Sequence, residues 1–385
     1  MKLHRVIRCG VLGLCAVLGA VGCGRVVAGA PVAGEVDIRG LDVGGYSVDP
    51  VDFRRVAVGD DGVGVELAIV RLAGGVPTGV EIEPRLGNEL AGRAIRGSGD
   101  VDPLLRSIVE RNGMMFGFGM AATAVPDTTR VRVTVLQFPE PGAARTAAIE
   151  AEAAGFGSAP KVSAPVTLDW YPDAKAHWRQ DVPALDAALA RGNYLIVVNV
   201  ARPEPNLTVL QELTKRAIAA QLPLLDKLPP LTAREMRQQG YDPQDMLRRS
   251  LHAGEDLAPN FDQEAVFDAR GFRHVAADSA LWGRLLELGG IDAVARISGG
   301  GLVARARDDK AADAVLNEMR AGVRPADPPP GVPEAFCAET ASATERFTCT
   351  VRSGRYVAQV ASAQVRDAHQ RAAAQFAVLV NSGWT

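Results

Sequence analysis

Arg130-Val131-Arg132-Val133-Thr134-Val135-Leu136 alternates polar and apolar side chains with a period of two. Successive side chains of an extended chain point to opposite faces, so this stretch reads as a half-buried β-strand. Pro139-Glu140-Pro141 breaks it, and Ala143 to Ala154 follows as an Ala-rich helix closed by Gly155. Upstream, Asp102 and Pro103 mark a helix start as N-cap and first-turn residue. That helix runs to Arg111, stops at Asn112-Gly113, and gives way to an apolar strand over Met114–Thr123. Downstream, Ala176-His177-Trp178-Arg179 supplies another strand. Asn193 to Val200 supplies a third, with Pro203 and Pro205 as breakers and a helix from Leu207 to Leu222. The order from Arg130 is strand, helix, strand, strand, helix.

The pattern recurs near the C-terminus. Asp278 to Leu288 is a short helix ended by Gly289-Gly290. Gly301 to Arg307 is a strand, Asp309 to Met319 a helix, and Pro325 to Pro333 an extended proline-rich loop. Phe347–Arg352 and Arg355–Ala361 flank Ser353-Gly354, a two-residue hairpin turn. Gln364 to Val380 is a long amphipathic helix. The expected fold is α+β in two domains, each an antiparallel sheet with helices packed on one face. Residues 41–226 and 271–385 form the domains, and 227–270, polar with scattered Pro and Gly, form a link with short helical pieces. Residues 62–72 fit helix and strand equally well.

The start of the chain sets a compartment. Lys2, Arg5 and Arg8 precede an apolar run, Val11 to Val21, of eleven residues. A membrane-spanning helix needs about 20. A short apolar core behind a basic start reads as a secretion signal over residues 1–22. Ala20-Val21-Gly22-Cys23 resembles the bacterial lipobox. That resemblance implies diacylglycerol on Cys23, cleavage before it, and a lipid-anchored tether over 23–40; two acyl chains make such an anchor stable. Ala20 departs from the usual Leu of the motif, and Leu14 makes Cys15 a poor rival. Removing the three signal cations takes the formal net charge from −3 to −6. That acidity, without a basic run, argues against a nucleic-acid partner.

Of five cysteines, Cys9 and Cys15 leave with the signal and Cys23 takes the lipid. Cys337 and Cys349 remain in an oxidising setting, where a disulfide is the natural reading. A metal pair is the rival, with His369 the only histidine nearby in sequence.

Leu41-Asp42-Val43-Gly44-Gly45-Tyr46, the lipobox, and the late cysteine pair ahead of Arg355-Tyr356-Val357-Ala358 together resemble secreted actinobacterial lipoproteins of unknown function, of the mycobacterial and nocardial type. The similarity spans about residues 37–383. It implies a two-domain envelope lipoprotein, with no catalytic residues to carry over.

The common catalytic signatures are missing. There is no Gly-x-Ser-x-Gly elbow, no His-Glu-x-x-His zinc helix, no phosphate loop and no EF-hand loop. Gly299-Gly300-Gly301 reads as a turn. Phe116-Gly117-Phe118-Gly119 lacks the context of a dinucleotide fingerprint. His177, His252, His274 and His369 are scattered, and a local hydrogen bond between His274 and Asp278 is the simple account of their spacing. Asp308-Asp309 is a helix start. Trp170 and Tyr171 lie in a loop and form a weak contact surface; packing against the core is the plainer alternative. No cofactor or metal is expected. The leading expectation is a non-enzymatic envelope module binding a protein, lipid or small ligand. The alternatives are a hydrolase built from distant residues, with His177 or His274 beside an Asp, and a structural envelope component.

Overall fold

The computed structural model describes residues 37–53, 61–157, 163–180, 182–252, 258–299 and 301–384. The signal segment, Cys23 and most of the tether lie outside the described residues. The first half contains α1 (Asp61–Ala73), α2 (Gly79–Ile82), β1 (Asn88–Ile95), α3 (Pro103–Arg111), β2 (Phe116–Thr123), β3 (Arg130–Gln137), α4 (Pro141–Ala153), β4 (Ala164–Pro165), β5 (Lys175–Trp178), β6 (Ala184–Arg191), β7 (Tyr194–Ala201) and α5 (Leu207–Asp226). The second contains α6 (Ala233–Arg237), β8 (Ala265–Asp268), α7 (Ala269–Arg273), α8 (Ser279–Gly289), β9 (Ala293–Ile297), β10 (Gly301–Arg305), α9 (Asp309–Arg320), β11 (Arg324–Ala326), β12 (Phe336–Glu339), β13 (Phe347–Ser353), β14 (Tyr356–Ser362) and α10 (Val365–Asn381).

These strands make two antiparallel sheets of seven, in the orders β1-β2-β3-β7-β6-β5-β4 and β11-β12-β13-β14-β10-β9-β8. The fold is α+β, as the periodicity indicates. β3 behaves as its alternation requires: Val131, Val133 and Val135 are fully buried while Arg130 and Arg132 are exposed. Polar caps set the helix starts. The Asp102 carboxylate accepts from Leu104 N, that of Asp278 from Leu281 N, and that of Asp308 from Ala311 N. Residues 61–73 resolve as helix.

The helices do not keep to one face. Val131, Val133, Ile196 and Val198 cluster with residues of α1 and α5, while Leu136, Ala188 and Leu195 turn the other way and cluster with α4. In the second sheet Val294, Ala304 and Val357 meet α8 and α9; Ala295, Val303, Ala358 and Val360 meet α10. The reason is in the strands. β7 and β14 are apolar on both sides, and each apolar face needs a cover.

Several segments depart from the expected boundaries. Residues 227–270, read as a link, hold β8, an edge strand of the second sheet. Residues 38–53 pack with the C-terminal half: Leu41, Val43 and Phe53 join Phe376 and Leu379. The Asp42 carboxylate accepts from Gly44 N and Gln370 Nε2, and Tyr46 O–H donates to Asp367 at 2.6 Å. Gly44 has φ +58°, a conformation that favours glycine.

Cys337 and Cys349 are disulfide-bonded. Cys337 lies in β12, directly opposite Cys349 in β13, and not in a loop entering the hairpin. The β13–β14 turn is Gly354-Arg355, one residue later than expected, since Ser353 pairs with Tyr356. The apolar cluster that contains α1 continues through Phe261, Phe267 and Phe272 into α8 and α9, so residues 38–385 form one compact unit.

Candidate functional site

β2 reads Phe116-Gly117-Phe118-Gly119-Met120-Ala121. Its bulky residues share one face and are buried; its Gly and Ala residues share the other. The cross-strand register continues that second face. Gly119 opposes Thr134 and Ala121 opposes Arg132. Thr134 opposes Val197, and Arg132 opposes Asn199. Asn199 in turn opposes Asp186. A bare strip along β2, beside α3 and α4, leaves the sheet uncovered there.

The result is a groove of about 380 Å³, within the usual range for small-molecule sites. Its floor is Gly119, Ala121, Thr134 and Val197, and Ile95, Leu105, Leu136 and Phe156 give it apolar walls. Arg93, Arg132, Asp100, Asp102, Asp186 and Asn199 supply polar groups.

Asp186 is the group whose chemistry is most altered. Burial pushes its carboxyl above the usual carboxylate range, against the hydrogen bond from Asn199 and the pull of Arg179 and Arg132. Asn199 Nδ2 donates to Asp186 Oδ1 at 2.7 Å. Phe156 carries a second mark. It holds φ 48° and ψ 31°, the left-handed region, in the turn Gly155–Gly157. That conformation costs a bulky residue about 1–2 kcal/mol and often occurs where function requires a fixed side chain. Its ring lies edge-on to His177, centroids 6.0 Å apart.

The residues singled out from sequence are dispersed. Trp170 is 50% exposed, with Lys215 Nζ over its ring at 4.0 Å. Tyr171 packs partly buried against the main core. Neither lines the groove. Ser163 Oγ lies 3.2 Å from His177 Nδ1, and His177 is the register partner of Asp186. Asp186 nevertheless turns to Asn199, and no hydrogen bond joins it to His177. Among the described residues Asp186 therefore does not extend the Ser163–His177 contact into an acid–histidine–nucleophile chain.

His274 does not bond to Asp278, which caps α8. It is buried, with Nε2 at 3.1 Å from the Val76 carbonyl and Nδ1 at 3.3 Å from Glu89 Oε2. His252 pairs with Glu264 at 2.9 Å. His369 Nε2 donates to the Asp327 carbonyl. Among the described residues one grouping has metal-ligand proximity, Cys337, Cys349 and His369. Its sulfurs are joined to each other, so no thiolate is available.

The glycine alternation of β2 is the signal that reveals the groove from sequence. Asp186 and Asn199 give none, because only the register brings them together.

Family models described as the N-terminal and C-terminal parts of a domain of unknown function (DUF7373) match residues 56–239 and 246–382. No curated protein matches. Among solved structures, the extracellular domain of PknH from Mycobacterium tuberculosis aligns at 12% identity with a TM-score of 0.32, covering 47% of this chain and 100% of that one.

Proposed function

The chain belongs to the DUF7373 family of domains of unknown function, and we propose that it is a non-enzymatic binding module that holds an amphipathic small molecule on the open face of its first sheet. The groove over Gly119 carries this reading. Apolar walls suit a hydrocarbon body. The polar rim sets Arg93 and Arg132 against Asp100, Asp102 and Asp186, with Asn199 between Arg132 and Asp186 in the strand register. Such a mixed set of donors and acceptors, with both signs of charge present, suits an uncharged, hydroxyl-bearing head better than an anion. The Cys23 lipobox places this module, in the same reading, on the extracytoplasmic face of the membrane as a lipid-anchored envelope protein.

Gly119→Leu is the test. A Cβ at Gly119 meets nothing nearer than Thr134 Oγ1 at 3.5 Å, so a side chain there enters the groove at ordinary contact distance from the sheet. Calorimetry with monomeric octyl glucoside and the Cys23→Ala chain is expected to show saturable binding. Gly119→Leu is expected to weaken it at least about tenfold, through about 1.4 kcal/mol or more of lost contact. Unchanged binding in that variant would refute the assignment.

The Ser163–His177 contact supports a second reading, a hydrolase. It predicts turnover of activated esters that Ser163→Ala abolishes. The binding reading predicts the same background rate in both proteins.

A further inference from the structure

A second cavity, of about 470 Å³, lies where α1, the end of α5, β8 and the start of α7 meet. Its walls come from both halves of the chain. Leu67, Val70 and Val266 make its body apolar, and its charged lining is three cations, Arg71, Lys227 and Arg270, against one carboxylate, Asp268.

Two of those charges are engaged. Arg270 bonds Glu81 and the Gly74 carbonyl, and Asp268 Oδ1 accepts from Gly271 N at 2.7 Å. Arg71 donates to the Pro229 carbonyl and to the Tyr194 hydroxyl, both neutral groups. No carboxylate there lies within ion-pair distance of Arg71 or Lys227. Lining the same cavity, Gln239 has a buried Nε2 with no acceptor. A buried amide donor left unpaired is costly, so this group calls for an oxygen.

The helix ends do not account for these donors. At the close of α1, the Leu72 and Ala73 carbonyls are taken by Gly75 N and Val76 N. Gln221 Nε2 takes the Gly75 carbonyl. At the close of α5, Leu224 and Leu225 accept from Lys227 N and Leu228 N. What remains is a set of donors facing a partly apolar chamber. We propose that this junction cavity binds an organic anion, its acidic head held by Arg71, Lys227 and the Gln239 amide and its apolar body against α1 and β8. The head is a carboxylate or a phosphate monoester. Because both halves wall the cavity, an occupant also steadies their contact.

Calorimetry on the purified Cys23→Ala chain tests this with octanoate, octyl phosphate and octanol. Saturable binding of one or both anions is expected, with octanol at least about tenfold weaker. Which anion binds tighter identifies the head. Lys227→Gln combined with Gln239→Leu should weaken the anion at least about tenfold. Lys227→Gln alone, at an exposed position, should weaken it measurably without altering the fold, and Gly119→Leu should leave it unchanged. No saturable binding of either anion would overturn the proposal. So would equal binding of octanol, or a loss in Gly119→Leu without one in the Lys227 variants. Octyl glucoside binding reports on the groove separately, so either site can fail alone.

Discussion

Both ring nitrogens of His252 face oxygen. The Leu247 carbonyl lies 2.8 Å from Nε2, and Glu264 Oε1 lies 2.9 Å from Nδ1. A neutral imidazole has one N–H, so it leaves one of these contacts as two opposed lone pairs; an imidazolium satisfies both. Burial pulls the imidazole pKa down, yet the hydrogen bond and charge of Glu264, the Leu247 carbonyl and the charge of Asp242 raise it above its ordinary value. The Phe53 ring closes the remaining side. A raised folded-state pKa means that the pair's contribution is complete below the unfolded value of about 6.5 and is lost as pH climbs through the folded value. The urea midpoint should therefore fall as pH rises above about 6.5, more steeply in wild type than in His252→Gln. Equal slopes would contradict the assignment. Sequence shows the four histidines but not their acids: Glu264 is twelve residues from His252, and Glu89 is far from His274.

At the scale of elements, β2 carries the sharpest contrast. A Cβ on Gly117 would meet Leu136 Cδ2 at 2.5 Å and the Val135 carbonyl at 2.7 Å. Gly117→Ala should destabilise by about 1–3 kcal/mol through overpacking, whereas Gly119→Leu should leave the urea midpoint near wild type. Similar losses in the two variants would show that the groove is not open at Gly119. Elements with strong periodicity or caps were legible: β3 from its valines, and α3 and α9 from Asp102 and Asp308. β6 was not. Ala184-Leu185-Asp186-Ala187-Ala188-Leu189-Ala190 has weak strand propensity. It is a strand because β5 and β7 pair on either side of it, and its alanines leave room for Ala144, Ala147 and Ala148 of α4. Missing β6 meant missing Asp186 as part of a site. The Phe-Gly alternation of β2 was visible, but its meaning depended on which strands lay beside it.

Over the whole molecule, the disulfide and the opening segment secure the C-terminal half. The bond joins residues twelve apart, a loop worth about 3 kcal/mol in the chain-entropy model. Reduction should lower the urea midpoint accordingly, and a matching Cys337→Ala, Cys349→Ala protein should behave like the reduced one; an unchanged midpoint would contradict this. The expected compartment rests on Cys23 and the late cysteine pair. A fatty-acid probe should label wild type and not Cys23→Ala, and continued labelling would sink the anchor. The packing of residues 38–53 against α10 was not readable, since Tyr46 and Asp367 stand 321 positions apart. The proposed role rests on one surface, the open face of the first sheet. Methyl NMR of the Cys23→Ala chain during titration with octyl glucoside tests it most directly. The account predicts saturable shifts concentrated at Ile95, Leu105, Leu136 and Val197, and their disappearance in Gly119→Leu. Shifts centred elsewhere, or persisting in that variant, would contradict it.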